Sequence, residues 1–393
     1  MTTPSLVDLS PLLQIVVVGG VVALGPLAWV WIRHRHGDAH SRLFGLSVLA
    51  LFLTFDLVLF GAFTRLTDSG LGCPDWPGCY GSVSPFGASQ HIDAAQMAMP
   101  TGPVTHGKAW VEMVHRYLAT GVGLLIVVLA VASWLAARRR RLPVSPWWAT
   151  LTLLWVCTQG AFGALTVTMK LYPAIVTLHL LGGLGLLMLL AVQSQGYQPR
   201  PWPLAPTLRR GLGALLLLVV VQAALGGWVS TNYAVLACRD FPSCQGQWWP
   251  QMDFEHGFAL LRPLGMGRDG GFLPFQALTA IHMVHRIGAL VVFAALAVLV
   301  WRLWTEGSHR SRGWARVLTA LAAWQFASGL SNVVLDWPLA AALAHTGGAA
   351  ALVTALTVAW IRSLQGEVGI PIGEVSHAAA SAGRALGDVH LVK

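Results

Sequence analysis

Long apolar segments with very little charge are the feature of this sequence that most limits how it can fold. Crossing the hydrocarbon core of a bilayer takes roughly 20 apolar residues in a helix. Charged residues are only 10% of the 393 residues and hydrophobic residues are 55%, which leaves too little charge to cover a water-soluble body of this size. The sequence therefore predicts an all-α integral membrane protein. Nine transmembrane helices are expected, at about 11–32, 43–65, 111–136, 147–169, 174–194, 211–230, 276–301, 315–335 and 338–361.

The basic residues indicate how these helices are oriented. A net charge of +9 could suit nucleic acid, but the Lys and Arg residues fall in short clusters between apolar segments, as in cytoplasmic loops. Most of the 25 basic residues, including the run 138–141, lie on one side if the chain starts outside. We therefore predict an external N-terminus, a cytoplasmic C-terminus and no nucleic-acid partner. A cleaved signal is disfavoured because no Lys or Arg precedes the first apolar segment.

An internal repeat divides the chain into two modules. The segment Glu112 to Arg116 recurs 170 positions later as His282 to Arg286, and three other landmarks recur at offsets of 165 or 166. Those landmarks are Cys73 and Cys79 with Cys238 and Cys244, Gln159 with Gln325, and His179 before Gly182-Gly183 with His345 before Gly347-Gly348.

The order of the landmarks predicts two tandem four-helix bundles, 43–194 and 211–361, joined by a cytoplasmic linker at 195–210. Residues 1–42 would add an N-terminal transmembrane helix and a basic inner loop, and 362–393 a flexible cytoplasmic tail rich in small residues. Because each module has an even number of helices, the repeats are parallel and their sites lie at equal depth.

Each module contains two histidines near the outer ends of alternate helices: His115 with His179, and His285 with His345. Ionisable residues within membrane spans are costly and usually functional. A four-helix bundle with facing histidines can hold heme iron from both sides, and the glycines after His179 and His345 would leave room for a flat macrocycle. Alternatively, the imidazoles bond across helices and the glycines permit close packing. Zinc or copper would need further ligands.

Glu112 marks a difference between the modules, because His282 occupies its position in the second repeat. Residues three apart share a helix face, so the carboxylate would lie beside whatever His115 binds and could perform proton chemistry there. Electron transfer through two equivalent hemes would not require this asymmetry. The alternative is that Glu112 only pairs with Arg116 or Lys108 near the membrane surface.

The outer loops each contain two cysteines in the spacing C-x5-C. In an oxidising compartment these predict short disulfides, Cys73 to Cys79 and Cys238 to Cys244. Such bridges could be structural caps over the two sites, or they could exchange electrons with a nearby redox centre. A structural role is favoured for Cys238 and Cys244, and the residues leave the choice open for Cys73 and Cys79.

Four motifs together resemble the heme A synthase family over about residues 43–361. They are the segment FTRLTDSGLGCPDWP at 63–77, E-x-x-H-R at 112–116, H-x-x-H-R at 282–286 and His-Thr-Gly-Gly at 345–348. The resemblance implies an oxidoreductase that converts the C8 methyl of heme O to the formyl of heme A, in a bacterial plasma (inner) membrane with its heme sites toward the outer face.

Residue roles follow from the same resemblance. His285 and His345 resemble the axial ligands of a resident heme b, and His115 and His179 resemble the pair that receives heme O. Glu112 resembles the catalytic carboxylate of the family. The four cysteines, Cys73, Cys79, Cys238 and Cys244, resemble those of members with both outer loops bridged.

The resemblance also implies heme O synthase and the assembly of a terminal oxidase as partners, besides the lipid bilayer, and it leaves oligomerisation open. The additional N-terminal helix departs from the eight-helix pattern of that family. Two other functions compete with the synthase. A di-heme b-type electron-transfer protein would keep both hemes and tolerate Glu112→Gln, whereas a transporter with a polar midplane site would purify without heme.

Overall fold

A computed structural model describes residues 10–139, 142–267 and 269–368, and its long elements are all helices. Within these ranges the structure has no β-strand, and nine helices are long and apolar enough to cross a membrane. This confirms the predicted all-helical architecture and the number of candidate spans. The helices are α1 (Ser10–Arg33), α2 (Ala39–Leu66), α3 (Ser89–Ala98), α4 (His106–Arg139), α5 (Pro146–Thr168), α6 (Pro173–Tyr197), α7 (Pro206–Thr231), α8 (Phe254–Gly257), α9 (Phe275–Glu306), α10 (His309–Val334) and α11 (Leu339–Val368).

The long helices pack as two rings of four. In the first ring α2 and α5 each contact α4 and α6, and in the second α7 and α10 each contact α9 and α11. Each ring encloses its own apolar core, around Leu125 and Leu190 in the first and around Leu212 and Leu356 in the second. The rings meet where α6 packs on α7 and α11, and α2 on α11.

Helix α1 lies outside the first ring and packs against α4. Glycine permits this close approach, because a β-carbon at Gly19 would lie 2.5 Å from Thr120 Cγ2 and one at Gly121 would lie 3.1 Å from Val22 Cγ1. Small residues at such crossings let helix backbones approach within a membrane. The added helix is therefore packed through a specific contact with the first module.

Several helices extend beyond the apolar segments that predicted them. Helix α10 begins at His309 instead of 315, because the Ser308 hydroxyl caps it by accepting a hydrogen bond from the Ser311 N–H at 3.2 Å. Helix α11 runs to Val368, so the prediction of a flexible tail from 362 is wrong for residues 362–368. The Arg362 carbonyl accepts from the Trp202 N–H at 2.8 Å, which joins this last part of α11 to the segment between α6 and α7.

The rest of the predicted tail, residues 369–393, lies outside the described residues. So do the first nine residues and the three basic residues Arg140, Arg141 and Arg268.

The connections 67–105, 169–172, 232–274 and 335–338 lie at one end of the molecule, which we call the loop end. Contacts between them confirm this: the Tyr233 hydroxyl donates to the Asp68 carboxylate at 2.6 Å, and Arg239 lies 3.9 Å from the Asp336 carboxylate. The four histidines occupy the seventh to eleventh positions of helices that begin at this end. All four therefore lie at similar depth in the two bundles.

Candidate functional site

Each of the four histidine rings faces a glycine on the neighbouring helix. A β-carbon at the glycine would lie between 3.0 and 3.6 Å from the Cε1 atom of the imidazole in every case. The pairs are Gly61 with His115, Gly163 with His179, Gly226 with His285, and Gly329 with His345. Because a larger side chain would press on the ring, these glycines fix the space in which each imidazole lies.

The glycines next to the histidines in sequence have a different role. A β-carbon at Gly182 would lie 1.9 Å from the Gln159 side chain, and one at Gly348 would lie 2.5 Å from Trp324 Cδ1. Side chains of adjacent helices already fill that space. The prediction that these glycines make room for a macrocycle is therefore wrong, and the alternative of close helix packing is correct.

In the first module His115 lies on α4 and His179 on α6, and both of these helices contact α2 and α5. Both Nδ1 atoms are buried, and neither has a hydrogen-bond partner among the residues the structure describes. The Phe60 ring lies parallel to the His115 ring, with 6.1 Å between centroids and 5° between planes. The His115 ring is therefore held by an apolar side chain, and no hydrogen bond within the described residues occupies Nδ1 of either imidazole.

In the second module His285 on α9 and His345 on α11 form the equivalent couple. Here each Nδ1 has a polar partner: the Gln222 amide at 3.0 Å from His285 and the Ser328 hydroxyl at 3.1 Å from His345. His282 is different, because its Nδ1 donates to the Ala234 carbonyl at 3.0 Å and its Nε2 accepts from Arg286 at 3.2 Å. In the H-x-x-H-R motif, His285 is therefore the histidine available as a ligand.

These donors fit a heme in each module. Axial ligation of heme iron needs one unprotonated imidazole nitrogen from each of two facing helices. His115 with His179, and His285 with His345, supply that set from alternate helices of one bundle. No group of three or more His, Cys, Asp or Glu side chains that could hold a metal ion occurs in the described part of the chain.

The Glu112 carboxylate lies one helical turn from His115 and is buried, with 4% of the residue exposed. Its Oε1 accepts from Arg116 at 2.5 Å and its Oε2 accepts from the Cys73 N–H at 2.8 Å. The alternative in which Glu112 pairs with Arg116 is thus present in the structure, but in a buried position. Lys108 does not take part, since its ammonium donates to the Gly102 carbonyl at 3.1 Å.

Arginines tie the disulfide loop of each module to its histidine helix. Arg116 donates to the carbonyls of Pro77 and Gly78, at 3.1 and 2.5 Å. Arg286 donates to three carbonyls of the second loop, at distances from 2.9 to 3.0 Å. Both modules therefore use the same anchor, and only the first adds a carboxylate to it.

The disulfides themselves are confirmed, with S–S distances of 2.11 Å for Cys73–Cys79 and 1.97 Å for Cys238–Cys244. Their loops share a motif that extends beyond the cysteine spacing, Cys-x-Asp-x-Pro-x-Cys-x-Gly, at 73–81 and 238–246.

The aspartate of this motif closes each loop. Asp75 accepts from two backbone N–H groups, of Tyr80 at 2.6 Å and Gly81 at 2.8 Å. Asp240 accepts from the Ser243 hydroxyl and from the N–H groups of Gln245 and Gly246, and these bonds lower its pKa to about 2. The final residue is glycine because φ is positive there, +71° at Gly81 and +72° at Gly246.

A polar contact joins the two modules at the loop end. Asp68 and Tyr233 are equivalent positions of the repeat, and the Tyr233 hydroxyl donates to the Asp68 carboxylate at 2.6 Å. The Arg65 guanidinium lies 4.0 Å from the centroid of the Tyr233 ring. The segments after α2 and α7 are therefore fixed to each other, and with them the loops above both histidine couples.

Two parallel four-helix bundles, each with an imidazole couple beneath a disulfide loop, define a multi-pass membrane protein with two candidate heme sites. Residues 45–357 match the model of the COX15-CtaA family, described as cytochrome oxidase assembly protein. The chain therefore belongs to the COX15-CtaA family, the heme A synthases.

Curated relatives agree with this assignment. The chain is 37% identical to a heme A synthase of Shewanella oneidensis over 317 residues, 78% of this chain and 92% of that protein. It is 28% identical to one from Allorhizobium ampelinum over 360 residues (86% and 94%), and 26% identical to one from Halalkalibacterium halodurans over 294 residues (72% and 85%). These matches confirm the predicted family and its oxidoreductase function, in a multi-pass membrane protein of a bacterial family.

Proposed function

We propose that this chain oxidises the C8 methyl of heme O to a formyl group, giving heme A, with a resident heme b as cofactor. The observation that carries the proposal is the duplicated imidazole couple, of which only one has a buried carboxylate one turn away. Two equivalent electron-transfer sites would not need that difference. A site that handles protons on one side of the molecule does.

The two couples receive different roles in this proposal. His285 and His345 hold heme b, which when bound supplies one-electron transfer. His115 and His179 hold the iron of the substrate heme O, so Glu112 belongs to the site where the chemistry occurs. This assignment is supported by the position of Glu112 on the same helix as His115 and by the two hydrogen bonds that fix its carboxylate.

The conversion of methyl to formyl consumes one water in total and releases four protons and four electrons, which an external one-electron oxidant must take up. It proceeds by two successive hydroxylations followed by loss of water. If both histidines ligate the substrate iron, no coordination position remains there for dioxygen, and water becomes the source of oxygen. Glu112 would then accept protons and direct water to the reacting carbon, while Arg116 keeps its bonds to Pro77 and Gly78 when the carboxylate is neutralised.

Isotope labelling tests the source of oxygen. Turnover under labelled dioxygen in ordinary water should leave the singly hydroxylated product unlabelled, and turnover in labelled water should label it. The hydroxymethyl product is the better readout, since an alcohol does not exchange its oxygen with water as an aldehyde does. Label from dioxygen in that product would refute the water route.

The function itself is tested by expressing the protein with and without a source of heme O and analysing the extracted pigments. We expect a retained heme b in both cases, and heme O or heme A only with the source. Glu112→Gln should keep heme b and stop heme A formation. A variant that still forms heme A would move the catalytic group elsewhere, and two permanently bound b hemes with no heme A would favour the di-heme electron-transfer protein.

We further propose that the loop end faces outward from the bacterial plasma membrane, with the N-terminus outside, the C-terminus in the cytoplasm and both heme sites toward the outer face. Two disulfides at that end support this, because disulfides persist in oxidising compartments. Labelling of intact cells with an impermeant maleimide should modify Phe86→Cys at the loop end and spare Gly313→Cys at the other. Heme O synthase and a terminal oxidase under assembly are the proposed partners.

A further inference from the structure

Side chains form hydrogen bonds to the candidate ligand histidines in the second module but not, among the described residues, in the first. The repeat identifies which residues of the first module occupy the equivalent positions. Ser328 lies one residue before Gly329, the glycine that faces His345, and the equivalent position in the first module is Phe162 before Gly163. Gln222 lies four residues before Gly226, and its equivalent is Leu57 before Gly61. Two polar positions of the second module are thus apolar in the first.

The Ser328 contact fixes the tautomer of His345. The single proton of the Ser328 hydroxyl is donated to the Trp324 carbonyl at 2.7 Å, so its oxygen is left to accept a hydrogen bond from His345 Nδ1 at 3.1 Å. A proton on Nδ1 leaves Nε2 with its lone pair, which is the form that ligates iron. Such outer partners orient a ligating imidazole and raise its basicity.

Gln222 holds the other ring of the couple. Its amide nitrogen lies 2.9 Å from the His285 carbonyl and 3.0 Å from His285 Nδ1, while its Oε1 is buried without a partner among the described residues. The amide nitrogen thus contacts both the backbone and the ring of the same histidine. This double contact fixes the orientation of the His285 ring within the bundle.

The first module lacks both contacts. The Nδ1 atoms of His115 and His179 are buried with no partner in the described part of the chain, and Phe60 stacks on the His115 ring instead. Nothing polar fixes the tautomer or raises the basicity of these imidazoles. They should bind iron more weakly than the second couple.

We propose that Ser328 and Gln222 are positioning residues that make the second module the site of permanent heme, and that Phe162 and Leu57 at the equivalent positions make the first module a site that exchanges its heme. This rests on the proposed function, because it concerns how an enzyme keeps its cofactor heme and releases its product heme. These substitutions between the modules explain why one histidine couple would retain its heme while the other, nearly identical in sequence, would release it.

The test measures heme retention and redox potential, using purified full-length protein carrying its b heme. Transfer of heme to excess apomyoglobin gives the dissociation rate, and a redox titration gives the midpoint potential. We expect Ser328→Ala to release heme roughly 10- to 100-fold faster, the usual effect of losing an outer partner of a metal ligand, and to shift the potential upward because a less basic imidazole stabilises the oxidised iron less. Ser328→Thr, which keeps the hydroxyl, should restore both values.

Ser331→Ala is the matched control. Ser331 lies on the same helix and its hydroxyl likewise donates to a carbonyl four residues back, that of Ala327 at 2.8 Å, but the hydrogen bonds to His345 within the described residues come from Ser328 and Gln325 instead. This variant should leave the rate and the potential unchanged. Equal effects of both alanine variants, or no effect of Ser328→Ala, would overturn the proposal.

A reciprocal variant decides the question if Ser328→Ala does not fold. Phe162→Ser combined with Leu57→Gln should slow the release of heme from the first module, and unchanged release would count against the proposal. Wild-type protein that holds no heme despite ample supply would instead refute the proposed function. The two failures are therefore distinguishable.

Discussion

Replacing Glu112 by alanine should destabilise the protein more than the loss of one catalytic group would suggest. Glu112 balances the buried charge of Arg116, whose side chain is 9% exposed, and accepts the Cys73 N–H at 2.8 Å. Alanine leaves the guanidinium without its carboxylate and the N–H without its acceptor. Breaking a buried ion pair on one side costs about 3 to 5 kcal/mol.

Glutamine at the same position should cost less. Its amide oxygen can still accept from Cys73, and Arg116 keeps its bonds to the carbonyls of Pro77 and Gly78. The loss of the charge then costs about 1 to 3 kcal/mol. The equivalent variant in the second module, His282→Ala, removes a neutral side chain and leaves Arg286 with three carbonyl partners, so we expect a cost of about 1 to 2 kcal/mol.

Chemical unfolding in detergent micelles, followed by tryptophan fluorescence, measures these differences. The order of stability should be wild type, then Glu112→Gln and His282→Ala, and last Glu112→Ala. Heme A formation should be absent in both Glu112 variants, so that activity and stability separate in Glu112→Gln. A Glu112→Ala protein as stable as His282→Ala would refute the claim that the carboxylate anchors the loop above the first site.

Three further predictions follow from the same geometry. Gly226→Leu should displace the His285 ring and abolish heme b binding in the absorption spectrum, whereas Gly160→Leu, at a glycine with open space around its α-carbon, should not. Replacing both Cys73 and Cys79 by serine should stop heme A formation while heme b stays bound, because the Glu112 carboxylate accepts a hydrogen bond from the Cys73 N–H in the loop that the disulfide closes. An unchanged yield of heme A would show that this loop does not hold the carboxylate. Hydrogen bonds lower the pKa of Asp240 to about 2. The stabilisation from this carboxylate is therefore fully present above its ordinary pKa and is lost as the pH falls from there through about 2. The protection factor of the Gly246 amide, its exchange rate relative to an unstructured chain at the same pH, should stay constant from neutral pH to about pH 4, and a decrease near neutral pH would contradict this.

The spans, the repeat and the ligand candidates could be predicted from the sequence because each depends on the order of residues along the chain. Apolar length identifies helices, and His115, His179, His285 and His345 stand out as ionisable residues within spans. The pairing of cysteines six positions apart is also local. The spans and the disulfides are confirmed, whereas the role of the four histidines as ligands stays a prediction.

Features that depend on contacts between helices were harder to predict. The glycines beside His179 and His345 drew attention because they are neighbours in sequence, whereas the ones that face the rings, such as Gly163 and Gly329, come from an adjacent helix. Their recurrence at the offset of 166 was the available signal. The acceptor role of Glu112 toward Cys73, 39 positions away, had no local signal.

Helix ends were misplaced for a separate reason. Hydropathy measures where a helix meets lipid, but capping and packing decide where it stops, as at Ser308 and in the last part of α11. The flexible tail predicted from 362 failed on this point, since Arg362 is hydrogen-bonded to the segment between the modules.

The central claim is that the imidazole couples hold heme, and the heme content of purified histidine variants tests it most directly. Wild-type protein should retain one b heme with the low-spin electron paramagnetic resonance signal of two axial histidines, His285→Ala and His345→Ala should lose it, and His282→Ala should keep it. Retention of that signal in His285→Ala together with its loss in His282→Ala would contradict the assignment of the ligands, and a colourless wild-type protein made with ample heme would contradict the claim as a whole.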